Sequence, residues 1–220
     1  MFKKKKVLAS TATKPPYSSI VVADGANHYW RFGESSGSAI DSIGGLNGVV
    51  SGAAQRNVPG AIAGNGAIRF VDFANSGAVD TPSFTLAPPF SLEFWMKTSS
   101  IATYSMIFTN RSTAVSTNFY LASIAAGSLE YSPPTKGSVA LVNNSQWHHV
   151  VLTVSGTTFQ FYIDGALTNS GPSTTPSTTG AGKFGNDDFS NSAVDLTLDE
   201  FAIYPLILSS TKVAYHFSLR

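Results

Sequence analysis

Along the chain, apolar positions recur in short runs of period two, and helical spacing is nearly absent. From Asn27 onward, runs of β-branched and aromatic residues alternate with turn residues at the interval that marks a sandwich or barrel. The pattern predicts strands over 28–32, 67–73, 91–97, 104–109, 118–123, 147–155, 158–163 and 196–204. Within 67–73, alternation puts Ile68 and Phe70 on one face and Arg69 and Val71 on the other. After 158–163, Asp164-Gly165 supplies the positive φ angles of a type I′ hairpin turn before Ala166-Leu167. Residues 170–182 are almost wholly Ser, Thr, Pro, Gly and Ala, and are expected to form a long loop with no part in the core. A short helix is expected over 210–217, with Ser209 or Ser210 as N-cap.

Composition narrows this all-β reading. At 220 residues the chain suits one sandwich-sized domain with a proper core. Charged residues make up 12% of it, against about 25% in an average globular protein, while 43% are hydrophobic. With no cysteine, disulfides, thiolate metal sites and a Cys nucleophile are excluded. Charge is unevenly distributed. Residues 1–19 carry five lysines (Lys3, Lys4, Lys5, Lys6 and Lys14) and no acid, and the remainder holds nine bases against thirteen acids. Residues 1–19 are therefore expected to be a basic flexible arm, and 20–220 the folded domain. The lysine run is followed only by Val7-Leu8-Ala9, too short for the roughly 7 to 15 apolar residues of a secretory signal, and no stretch has the length of a membrane span. Without a nucleic-acid module or interleaved aromatics, the arm predicts no specific nucleic-acid partner; clustered lysines suit an acidic protein neighbour.

Four blocks arrive in an informative order: Tyr29-Trp30-Arg31-Phe32-Gly33-Glu34-Ser35-Ser36-Gly37 with Asp41 and Gly44-Gly45-Leu46-Asn47-Gly48; Phe90-Ser91-Leu92-Glu93-Phe94-Trp95-Met96-Lys97; Trp147-His148-His149-Val150-Val151 through Phe161-Tyr162-Ile163-Asp164-Gly165; and Leu198-Asp199-Glu200-Phe201-Ala202-Ile203-Tyr204. In this set the chain resembles the concanavalin A-like, laminin-G-like jelly-roll family. The resemblance implies a sandwich of two curved antiparallel sheets, with the first and last strands side by side and a short C-terminal helix. Lectins, adhesion modules, glycoside hydrolases and particle components share that fold, so it does not fix an activity.

Candidate chemistry is sparse. Glycoside hydrolysis needs two carboxylates about 5 to 9.5 Å apart, and none of Glu34, Glu93, Glu130 and Glu200 has an acidic partner two positions away. Asp199 and Glu200 are adjacent and by alternation face opposite sides. Gly33-Glu34-Ser35-Ser36-Gly37 fits the nucleophile-elbow pattern but is followed by loop residues where a helix is required. His148 and His149 are expected to pack and hydrogen-bond on a strand. Alternation places Asp199 with Phe201 and Ile203 on a core face, where its carboxylate needs a donor or a cation. It is the metal candidate, for the structural Ca²⁺ that the resemblance allows with Asp41 or Asp24, although no cofactor is required. Asn186, Asp187 and Asp188 in a polar loop, with Tyr120, are the candidate ligand-binding residues, suited to sugar hydroxyls on cell-surface glycans. The expected role is a non-enzymatic binding and assembly module: a virion decoration, fibre or tail component, found in a virion or at an extracellular surface and attached to protein subunits through its arm. A free-standing lectin or adhesin is the alternative, followed by a glycoside hydrolase with an atypical site.

Overall fold

The computed structural model describes residues 14–71, 77–99, 105–111, 119–123, 127–185 and 195–220. Two antiparallel sheets lie face to face, built largely from strands remote in sequence. The first has the spatial order β13 (Ala166–Pro172), β12 (Thr158–Ile163), β11 (His148–Val154), β6 (Phe90–Thr98), β15 (Leu196–Tyr204), β4 (Gly66–Phe70) and β3 (Gln55–Pro59), with β1 (His28–Trp30) also pairing with β15. The second runs β10 (Lys136–Gly137), β9 (Leu129–Ser132), β8 (Phe119–Ser123), β7 (Ser105–Arg111), β14 (Thr178–Phe184), β5 (Ala78–Leu86) and β2 (Val49–Ser51). The first and last strands lie side by side, with Trp30 opposite Phe201. Between the sheets, Phe201 meets Phe94, Phe108 and Phe184 at centroid separations of 5.1, 5.1 and 4.8 Å, so aromatic rings from both sheets interlock.

The first sheet is covered on its outer face as well. Helices α1 (Tyr17–Ala23) and α2 (Ser210–Ser218) lie over it, and a second core of Tyr17, Val21, Tyr29, Trp95, Val151, Tyr204 and Val213 fills the space beneath. A strand buried on both faces reads as a continuous apolar run, not as an alternation. That is why all seven positions of β11 are buried. Asp164 (φ 52°) and Gly165 (φ 79°) make the expected turn, with Ile163 opposite Ala166. Ser209 caps α2, its hydroxyl accepting from the Lys212 N–H at 3.3 Å.

Two expectations are corrected. Residues 170–182 are not a loop outside the core: β13 extends to Pro172, β14 begins at Thr178, and Ser173, Thr175 and Thr178 are buried. Their short hydroxyls are buried because each finds a partner. Ser173 Oγ lies 2.9 Å from Tyr131 Oη, and Thr178 Oγ1 donates to Asn110 Oδ1 at 2.7 Å. The arm also ends sooner than expected, because Tyr17 opens α1 and is buried, its hydroxyl donating to Glu93 Oε1 at 2.9 Å.

Candidate functional site

On the outer face of the first sheet, beside the helices, three side chains form a cross-strand row. Thr197 on β15 pairs with Arg69 on β4 and with Lys97 on β6. Neighbouring strands are about 4.8 Å apart, so the two cationic residues flank the threonine at about 10 Å between backbones. They line a cleft of about 330 Å³ with Ser99, Ser145 and Asp195, and Val58 and Pro59 form an apolar edge. Arg69 Nε donates to Asp195 Oδ1 at 2.8 Å, and Ser99 Oγ donates to Asp195 Oδ2 at 3.3 Å. Lys97 Nζ lies 5.2 Å from the Trp147 ring centroid, within cation–π range.

The rim of the cleft is held by a histidine. Ser145 has φ 64°, a left-handed backbone rare outside glycine, and its N–H donates to the Thr98 carbonyl at 3.0 Å. Just before it, Asn144 Oδ1 accepts from the Gln146 N–H and meets His148 Nε2, each at 2.9 Å. His148 Nδ1 in turn lies 2.8 Å from Asp164 Oδ2. The turn carrying Ser145 and Trp147 is thus tied to the β12–β13 hairpin. The cleft offers hydroxyls, a carboxylate, a guanidinium, an ammonium and a nearby indole on a sheet packed from both sides. Among the described residues that line it there is one carboxylate, where hydrolysis of a glycoside needs two.

Of the residues singled out from sequence, Tyr120, Lys14 and Asp199 are described, and they lie away from this cleft. Tyr120 projects from the outer face of the second sheet, on the other side of the sandwich, paired with Thr109 and Ser132, and its hydroxyl donates to Glu130 Oε1 at 2.8 Å. Asn186, Asp187 and Asp188 lie outside the described residues, as do Lys3, Lys4, Lys5 and Lys6. Lys14 is exposed, with its Nζ donating to the Ser218 carbonyl at 2.5 Å, so it touches the end of α2 of its own chain. The segment Gly33–Gly37 is loop, without the strand and helix of a nucleophile elbow.

Asp199 is where alternation misleads. The β15 register shifts between Asp199 and Ala202, and Glu200 has φ 52°, which together describe a β-bulge. The extra residue turns Asp199 and Glu200 toward the same, helix-covered side, leaving Phe201 in the intersheet core, so Asp199 does not share a face with Phe201 and the pair do not face opposite sides. Asn65 Nδ2 donates to both, to Asp199 Oδ1 at 2.8 Å and to Glu200 Oε1 at 3.1 Å. Asp199 Oδ2 accepts from the Ala61 N–H at 2.8 Å and the Ile62 N–H at 3.4 Å. Gly60 is required here, since a Cβ at that position would lie 2.6 Å from Asp199 Oδ2. Glu200 is paired with Arg31 at 2.9 Å and accepts from the Tyr29 hydroxyl. Burial and then the Glu200 charge raise the Asp199 carboxyl to a pKa of about 7. Both carboxylates are fully buried and so closed to a substrate. Nor are the proposed calcium partners beside it: Asp41 is bound to His28 and to the N–H groups of Tyr29, Ile43, Gly44 and Leu46, and Asp24 to His216 and Lys212. Among the described residues, no group of three or more His, Cys, Asp or Glu is placed to hold a metal ion.

A second buried network went unrecognised in the sequence. Glu93, with no solvent exposure, accepts at Oε1 from Tyr17 Oη (2.9 Å), His149 Nε2 (2.7 Å) and His216 Nδ1 (2.8 Å), and at Oε2 from Tyr204 Oη (2.5 Å). His216 Nε2 faces Asp24 Oδ2 at 2.8 Å, so both ring nitrogens point at carboxylates and the ring is an imidazolium. Burial alone would raise the Glu93 pKa, but hydrogen bonds from His149 and His216 bring it well below the usual range. Burial would lower the His216 pKa, and Glu93 and Asp24 together raise it. The network joins α1, α2 and the sheet. No single motif announces it, because its members come from both ends of the chain and from two central strands.

With this geometry in place, comparison with known proteins supplies relatives. A family model described as the concanavalin A-like lectin/glucanases superfamily matches residues 73–214, well over half of the chain. No protein of curated function matches the sequence. Among solved structures, similar ones include botulinum neurotoxin type C, which depends on interaction with two ganglioside molecules to enter cells (16% identity, TM-score 0.69, 92% of this chain and 53% of that one). Another is the binding domain of Paraclostridial Mosquitocidal Protein 1 (15% identity, TM-score 0.68, 88% of this chain and 52% of that one). A third is the binding domain of botulinum neurotoxin DC in complex with rat synaptotagmin II (15% identity, TM-score 0.68, 90% of this chain and 52% of that one). The chain spans about half the length of these structures, and at such identities the likeness is one of fold. Family match, strand order and paired terminal strands agree: the chain belongs to the concanavalin A-like lectin/glucanase superfamily.

Proposed function

We propose that the domain is a non-enzymatic binding module whose ligand is a glycan, taken in the cleft over β4, β15 and β6. The observation that carries this reading is the cleft itself, in which hydroxyl, carboxylate, guanidinium and ammonium groups converge beside an indole on a rigid sheet. Convergent polar groups in a concave, preformed site are how small ligands are oriented. The single carboxylate among the described lining residues, and the burial of Glu93, Asp199 and Glu200, favour binding without hydrolysis. Interaction with gangliosides by one structural neighbour and with synaptotagmin by another fits a receptor-binding use of the fold.

The basic arm favours a module mounted on a larger assembly, as a virion decoration, fibre or tail component, over a free-standing lectin or adhesin. Lysines without intervening acids suit an acidic face on a neighbouring subunit. The glycan reading is tested by a glycan array on the full chain, followed by calorimetry with Asp195→Asn. Saturable binding that falls at least tenfold in the variant is expected. Binding indifferent to Asp195→Asn removes the cleft from the reading, and release of reducing ends from a bound glycan overturns its non-enzymatic part.

A further inference from the structure

We propose that the cleft selects an acidic saccharide, and that Lys97 is the residue that selects it by meeting one anionic group. This rests on the glycan reading and adds the class of sugar. Beyond the first nineteen residues the chain has nine Lys and Arg against thirteen Asp and Glu, yet the described residues lining the cleft bring two cations around one carboxylate. The local excess of positive charge runs against the acidic body.

The two cations are not equivalent. Arg69 is already neutralised by Asp195 at 2.8 Å, and the exposed pair acts as a fixed dipole whose carboxylate accepts from sugar hydroxyls and whose remaining guanidinium N–H groups donate to them. Lys97 has no ion-pair partner among the described residues. Its ammonium sits against the Trp147 face at 5.2 Å, a contact that orients the charge without neutralising it. A concave, partly enclosed wall strengthens the field of such a charge and attracts an anion into it.

The supporting turn is built for position. The left-handed backbone at Ser145, pinned by its bond to Thr98 and by the Asn144–His148–Asp164 relay, brings Ser145 and Trp147 to the side of the cleft where Lys97 lies. Strained backbone kept by such over-determined contacts is characteristic of binding sites. An anionic group at Lys97, a ring lying over Thr197, and hydroxyls at Asp195 and Arg69 use the whole cross-strand row.

The test is calorimetric titration of the full chain with trigalacturonate, with an O-sulfated galactotriose, and with neutral galactotriose, at low and physiological salt. At least one acidic trisaccharide is expected to bind ten times or more tighter than the neutral one, with a preference that shrinks as salt rises; the two acidic arms tell carboxylate from sulfate. Lys97→Gln is expected to abolish the preference with thermal unfolding unchanged, and Lys97→Arg to keep it. Equal binding of neutral and acidic sugars, or a preference that survives Lys97→Gln, overturns the acidic assignment and leaves the glycan reading standing. If none of the three binds, the assignment falls, and a blank glycan array brings down the glycan reading with it.

Discussion

Glu93 illustrates how a buried charge is kept. Three hydroxyl or imidazole donors at one oxygen and a fourth at the other replace the water it loses, and the His216 imidazolium balances its charge. Removing the charge strands that imidazolium in the interior, so Glu93→Gln is expected to destabilise the domain by about 3–5 kcal/mol, measured by urea denaturation; a loss below 1 kcal/mol would mean that the network contributes little. The pH dependence follows from the same groups. His216 and Asp199 have folded pKa values raised above their unfolded ones, so each stabilises fully below its unfolded pKa and loses that contribution as pH rises through the folded value, about 7 for Asp199. Glu93 and Asp24 have lowered values and lose their contribution only as pH falls through them in acid. Thermal stability should therefore fall as pH rises from about 5 to about 7, between the unfolded and folded values of Asp199, and Asp199→Asn should flatten that fall; a wild-type profile level across this interval contradicts the assignment. None of this was legible at Asp199, because period-two alternation assumes a regular strand and a single extra residue in β15 reverses the face of what precedes it.

Elements were legible where their own chemistry decides them. The Asp164-Gly165 turn and the Ser209 cap are local and appeared as expected. β5 was hidden by Pro82, a residue that argues against a strand, and the structure accommodates it with a register shift in β14 opposite and a bond from the Gly182 N–H to Thr81 Oγ1 at 3.0 Å. α1 was hidden because Lys14-Pro15-Pro16 reads as tail, whereas burial of Tyr17 and Val21 under the helical layer is a tertiary effect. The boundary can be tested by truncation. Removing residues 1–13 should leave the melting temperature unchanged. Removing residues 1–23 deletes Tyr17, Val21 and a donor to Glu93, and should lower it by 10 °C or more in a thermal melt; equal stability of the two forms would show that α1 is dispensable.

For the molecule as a whole, the fold was readable because four ordered blocks place aromatic residues on central strands. The cleft was not, because Arg69, Lys97 and Thr197 are remote in sequence and meet only through the strand order β4–β15–β6. Tyr120 drew attention by residue type alone, which does not report that its hydroxyl is spent on Glu130. The same separation of local and global applies to the arm. Because the fold already uses residues from Tyr17 onward, the proposed assembly role of the arm falls to the lysine cluster ahead of them, and losing it should not disturb the cleft. Sedimentation of the full chain and of the form lacking residues 1–13 should therefore show association in the first alone, weakening as salt screens the lysines, while glycan affinity stays equal in both. If both forms are monomers at every salt concentration, the arm does not drive self-association, and a free-standing lectin becomes the better form of the proposal.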